Sequence, residues 1–239
     1  MGTLINCLAI IAGGVLGLFA GRFIPEKVGD TVLKANGAAV IALGIAGVMK
    51  QMLVIQQGAL EVQGTFNMIL SICVGALIGE WIDLEAGLER FGSWLKQKTG
   101  SSSDANFTDA FLTASLTVSI GAMAIVGSIE DGIHGNPSIL ISKAILDFMI
   151  ILLMSASMGK GCVFSFVPVG ILQGSVTLLA IGLRGIFTEP ALAGLSLTGN
   201  VIISLIGVNL LFGKTIKTAN LLPAMVLSIL LTFLLGPGV

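Results

Sequence analysis

The chain has 239 residues, of which 55% are hydrophobic and only 10% charged, and its mean hydropathy is +1.02. That balance excludes a water-soluble domain, and a net charge of −1 with no basic run excludes a nucleic-acid partner. The class that remains is an all-α polytopic membrane protein, in which each span needs about 20 mostly apolar residues to cross about 30 Å of hydrocarbon.

Apolar segments recur at about 3–21, 35–53, 64–82, 108–128, 138–158, 162–184, 197–213 and 219–236, giving about eight transmembrane helices in a single domain over 1–239. The first segment has no basic residue before its apolar run and Arg22, Lys27 and Lys34 soon after it. This is the reverse of a cleavable signal peptide, so the segment is expected to stay as the first span. Gly13, Gly17 and Gly21 recur every fourth position along it, as Gly75 and Gly79 do on the third. Such stripes let backbones approach closely in lipid, within the bundle or between copies of a homo-oligomer. The alternative is glycine at hinges or breaks lining a path.

After the third span, Leu84, Leu88, Phe91 and Leu95 recur at helical spacing while Arg90, Lys96 and Lys98 fall on other faces. The spacing predicts an interfacial amphipathic helix, followed by a flexible loop over 100–104. Trp81 and Trp94 fall at the depth that amphipathic rings prefer. Between the fourth and fifth spans, Glu130, Asp131 and the single histidine, His134, are expected in a solvated turn or at an entrance that concentrates cations. Cys7, Cys73 and Cys162 are scattered in apolar sequence and read as small packing residues. Neither a metal site nor a cofactor is expected.

With these spans threaded, Arg22, Lys27, Lys34, Arg90, Lys96, Lys98, Lys160, Lys214 and Lys217 fall on one side, while only Lys50 and Arg184 fall on the other. Basic residues near span ends are retained in the cytoplasm, which puts both termini outside the bacterial cytoplasmic membrane. Residues 3–53 and 166–216 share a long span, an acidic residue beside proline (Pro25-Glu26, Glu189-Pro190) and a span opening near Asn36 or Asn200 and continuing to Gly44 or Gly207. The two copies enter from opposite sides. Adding a third span to each predicts an inverted repeat of 3 + 2 + 3 helices, about 3–82 and 162–236 around a central pair over 108–158, a plan that transporters share with channels.

Asp147 is the most informative single residue, because it falls near the middle of the fifth span, where an ionised group costs about 2.5–3.5 kcal/mol. Lys143 lies one turn earlier on the same face, so the two form either a neutralising pair or a cation- or proton-responsive site. Thr117 and Ser119 on the fourth span, Gln173 on the sixth and Asn209 on the seventh lie at similar depth. Together they are expected to line a small hydrated path; singly each also fits an interhelical hydrogen bond. Pro168 adds an expected kink or break in the sixth span. Glu80 reads as an interfacial acid at the inner end of the third.

The run Phe107-Thr108-Asp109-Ala110-Phe111, then Ala114-Ser115-Leu116, then 120–129 with Asp131-Gly132, is similar to the signature of the bacterial inner-membrane family called domain of unknown function 554. Ala122 stands at a position often proline in that signature. Lys143-Ala144-Ile145-Leu146-Asp147 and Gly2-Thr3-Leu4-Ile5-Asn6 resemble it too, so the likeness covers essentially the whole chain. It implies a polytopic cytoplasmic-membrane protein, described at most as a candidate transporter.

The function expected from the residues is transport of a small solute or ion across the lipid bilayer. An oligomeric channel and a non-transporting scaffold or assembly factor are the alternatives. No paired acids, nucleophile–base pair or phosphate-binding glycine loop appears in the sequence, so an enzyme is not expected.

Overall fold

The computed structural model describes residues 1–23, 26–56, 58–101, 104–119, 122–183 and 188–236. Pro25, Ser102, Ser103, Ile120, Gly121 and Arg184, and the side chains of Lys27 and Asn36, lie outside the described residues. The helices are α1 (Gly2–Gly21), α2 (Glu26–Met52), α3 (Thr65–Ile82), α4 (Leu84–Lys98), α5 (Phe107–Ser119), α6 (Ala122–His134), α7 (Ser138–Met158), α8 (Phe166–Leu183), α9 (Glu189–Phe212) and α10 (Pro223–Leu235). Seven spans are long and apolar enough to cross a membrane, and α5 with α6 makes an eighth if the pair is one bent span. The chain is therefore a polytopic helical membrane protein. α7, with 21 residues, rises about 31 Å, the thickness of the hydrocarbon core. Large apolar side chains such as Leu178, Phe212 and Leu234 stand exposed on its helices, as a lipid-facing surface requires.

Several elements differ from the sequence expectations, each for a local reason. An antiparallel hairpin, β1 (Leu53–Gln56) paired with β2 (Ala59–Val62), follows α2 where only a connection was expected. Its Leu-Val-Ile run and the positive φ of Gly58 in the turn are strand and hairpin features hidden in an apolar context. The fourth span is not one continuous helix: α5 stops at Ser119, and Met123–His134 is inclined to it by 61°. Residues 130–134 are the last turn of α6, not a loop, and Glu130 pairs with His134 one turn apart. Pro168 falls in the first turn of α8, where its missing N–H costs nothing, so it makes no mid-span break. α9 opens at Glu189, earlier than expected, because Thr188 has extended backbone at the cap and Pro190 sits in the first turn.

The chain divides into two compact units. Unit 1 comprises Met1–Gly37, Ala86–Ser119 and Met123–Leu183, and unit 2 comprises Ala38–Glu85, Ile120–Ala122 and Arg184–Val239. In unit 1, α1 runs parallel to α7, with Gly13, Gly17 and Gly21 facing Phe148, Leu152 and Ala156 in step. A Cβ on Gly21 would lie 2.7 Å from the Ala156 carbonyl oxygen, so the glycine stripe is occupied by a helix of the same chain. The apolar face of α4 (Leu88, Phe91, Leu95) packs on Phe107, Phe111 and Leu112 of α5, so it is buried on protein.

In unit 2, Gly75 and Gly79 of α3 face Ala224 and Asn220 in opposite order, an antiparallel packing, and Gly44 and Gly47 of α2 face Ser204 and Asn200 of α9. One end of this unit carries a polar network. Asn220 accepts the Glu85 backbone N–H at 2.8 Å and donates to Glu80 at 2.7 Å, while Lys217 pairs with Glu80 and Lys214 with Glu85. Glu80 is thus tied to a partner and not simply snorkelling.

Candidate functional site

The buried polar centre of unit 1 is built on the i, i+4 face of α7. Lys143 and Asp147 are 5% and 3% exposed, and their side chains form an ion pair. Two neighbouring helices complete it. From α1, Asn6 donates its amide N–H to Asp147 Oδ2 at 3.0 Å. From α5, the Val118 carbonyl accepts the Lys143 ammonium at 2.7 Å. Val118 lies in the last turn described for α5, one residue before Ser119. Parallel packing of α1 on α7 is what brings Asn6 to this depth. Sequence spacing hides the contact, since the partners are 141 positions apart.

Other polar atoms in the same unit are buried without a protein hydrogen-bond partner. They are Thr3 Oγ1 and Asn6 Oδ1 on α1, Ser115 and Ser119 Oγ on α5, Ser128 Oγ on α6, Ser155 Oγ on α7, and both amide atoms of Gln173 with Thr177 Oγ1 on α8. Thr3 is one turn from Asn6, and Ser119 adjoins Val118. Gly170, one turn before Gln173, faces Cys7 beside Asn6, and Gly132, one turn beyond Ser128, faces Thr177. The helix faces that bear these atoms are therefore packed against one another.

The sequence candidates divide accordingly. Asp147 and Lys143 are in direct contact, Ser119 adjoins their carbonyl partner, and Gln173 is 1% exposed on α8. Thr117 bonds back to the Thr113 carbonyl at 2.7 Å and is satisfied within α5. Asn209 belongs to unit 2 and spends its side chain on the turn after α9, donating to Ile216 O at 2.7 Å and accepting from Thr215 and Ile216 N–H. Asn6 and the Val118 carbonyl were missed. Asn6 carried a signal, an amide four residues into an apolar span; a backbone carbonyl carries none.

At the start of α1, the Met1 and Gly2 nitrogens donate to Asp131 at 2.9 and 2.8 Å, so this carboxylate of α6 caps α1 and is buried. It is not free to attract cations from solution. Unit 2 has a separate concavity of about 330 Å³ among Gln51, Gln63, Asn67, Glu189 and Thr232, in which Asn67 already donates to Ser228 O and Thr232 Oγ1. Among the described residues no group of three or more His, Cys, Asp or Glu is placed to hold a metal ion.

Apolar helices of membrane-spanning length around a buried ion pair define a multi-pass membrane protein with a polar core. The chain belongs to the family described as protein of unknown function (DUF554), whose model matches residues 1–233. It is similar to the uncharacterized membrane protein YdfK of Bacillus subtilis (strain 168), 27% identical over 234 residues, covering 98% of this chain and 96% of that one. It is also similar to the uncharacterized protein YqgA of Escherichia coli (strain K12), 26% identical over 232 residues, covering 95% and 94%. No solved structure matches it.

Proposed function

We propose that the protein transports a small polar solute or ion across the bacterial cytoplasmic membrane, through a hydrated site in unit 1 centred on Asp147, Lys143 and Asn6. The observation that carries this reading is the concentration of buried, unpartnered polar atoms on α1, α5, α6 and α8 around one ion pair. In a bilayer such atoms cost several kcal/mol each unless they meet water or a solute. In unit 2 most buried polar groups are paired, as Asn67, Thr232 and Ser71 are, and Thr198 Oγ1 is buried without a partner.

The broken α5–α6 pair supports the same reading, because discontinuous helices place free carbonyls at the binding depth of many transporters. So does the division of the two expected copies. α1 and α8, which open them, are both in unit 1, and α3 and α10, which close them, are both in unit 2, a division that fits two related copies. In this proposal both termini face away from the cytoplasm.

The test is solute flux into liposomes holding purified wild-type protein or Asp147→Asn. The expected result is saturable uptake by the wild type and loss of uptake in the variant at equal incorporation. Wild-type flux in the variant removes Asp147 from the mechanism, and uptake that never saturates favours a channel.

A further inference from the structure

We propose that the Lys143 ammonium is a tethered cation filling an oxygen-lined monovalent-cation site, so that the wild-type protein needs no alkali cation there and an uncharged residue at 143 opens the site to one from solution. The proposal deepens the transport reading and rests on it for its purpose, while the site itself rests on geometry. The ammonium is held by oxygens alone: an Asp147 carboxylate oxygen and the Val118 carbonyl at 2.7 Å. Two further oxygens, Asn6 Oδ1 and Ser119 Oγ, belong to residues that touch or adjoin these ligands and are buried with no partner of their own.

Carboxylate, carbonyl and hydroxyl oxygens are the ligand set of hard cations, and a backbone carbonyl can substitute for part of a hydration shell. Charge selects the valence. One carboxylate, Asp147, balances one positive charge and leaves a divalent ion in excess. A lysine stem rooted one turn away on α7 supplies that charge permanently. Removing it leaves the carboxylate, the carbonyl and a cavity the length of the stem.

The experiment is thermal unfolding of the full-length purified protein in detergent, in sodium, potassium, lithium or ethylammonium chloride, against choline chloride at the same ionic strength. Wild type is expected to melt at the same temperature in all five. Lys143→Ala is expected to gain several degrees, saturably, in at least one of the small cations, ethylammonium included because it restores the missing head group. Lys143→Ala/Asp147→Asn is expected to respond to none and serves as the folding control.

A Lys143→Ala variant that melts alike in every salt overturns the proposal, as does a response that survives in the double variant. Recovery of Lys143→Ala only from buffers containing one of the small cations supports it. Failure to recover it from any, while the double variant is recovered, overturns it. Because melting is read at equilibrium, a protein that shows no flux in liposomes can still pass this test, and one that transports can fail it.

Discussion

Replacing Asn220 by alanine strands the buried Glu85 N–H it accepts and removes one of the two partners of Glu80, which keeps Lys217, in a site where the asparagine is only 2% exposed. The expected loss is about 1–3 kcal/mol, read as a lower melting temperature of the purified protein. Lys217, in the connection before α10, has its pKa raised by the hydrogen bond to Glu80. A raised lysine pKa stabilises fully below the unfolded value near pH 10.4 and loses that contribution as pH rises through the folded value. The penalty of Lys217→Met is therefore expected to stay constant from about pH 7 to about pH 9 and to shrink only above about pH 10.4. At this scale the sequence exposes what local spacing encodes. Lys143 and Asp147, one helical turn apart, were legible as a pair, whereas Asn6 and the Val118 carbonyl come from other helices, and only folding brings them there.

The glycine stripe of α1 decides how closely that helix approaches α7. A side chain at Gly17 would bring its Cβ to 2.9 Å from Ser155 Cβ and against the Leu152 carbonyl, so Gly17→Val is expected to destabilise by about 1–3 kcal/mol and to perturb the Asn6–Asp147 contact with it. Gly174 on α8 meets nothing within 4 Å. Gly174→Ala should therefore be neutral or gain up to about 1 kcal/mol, and the contrast in melting temperature between the two variants separates packing from backbone propensity. Helix existence was legible because spans of 18 to 24 apolar residues admit no other structure in lipid. The β1–β2 hairpin and the α5–α6 break were not. The hairpin lies in a short connection with strands of only four residues, too brief for an alternating pattern to stand out, and the break lies in sequence as apolar as the helices around it, where hydropathy cannot distinguish a broken helix from a continuous one.

For the whole molecule, the sharing of one side by the basic residues is an expectation of the sequence, and within each unit those residues group at helix ends. Lys214 and Lys217 meet the ends of α3 and α4, and Arg22 and Lys160 line one concavity with Asp104. The membrane orientation is a prediction: reporter fusions at both termini should give the extracytoplasmic signal, and a cytoplasmic signal at either end reverses the proposed topology. The solute was not legible, because the site is made of hydroxyl, amide and one ion pair, groups that serve many ligands. What the account requires is that this site be wet. Gln173→Cys and Ile171→Cys, introduced singly with Cys7, Cys73 and Cys162 replaced, compare a side chain 1% exposed within unit 1 with one 64% exposed on the outer face of α8. In intact membranes a small, charged thiol reagent should label Gln173→Cys at least about tenfold faster, because thiolate forms in water and not in lipid. Equal labelling, or none at Gln173→Cys, would contradict a hydrated path through the core of unit 1.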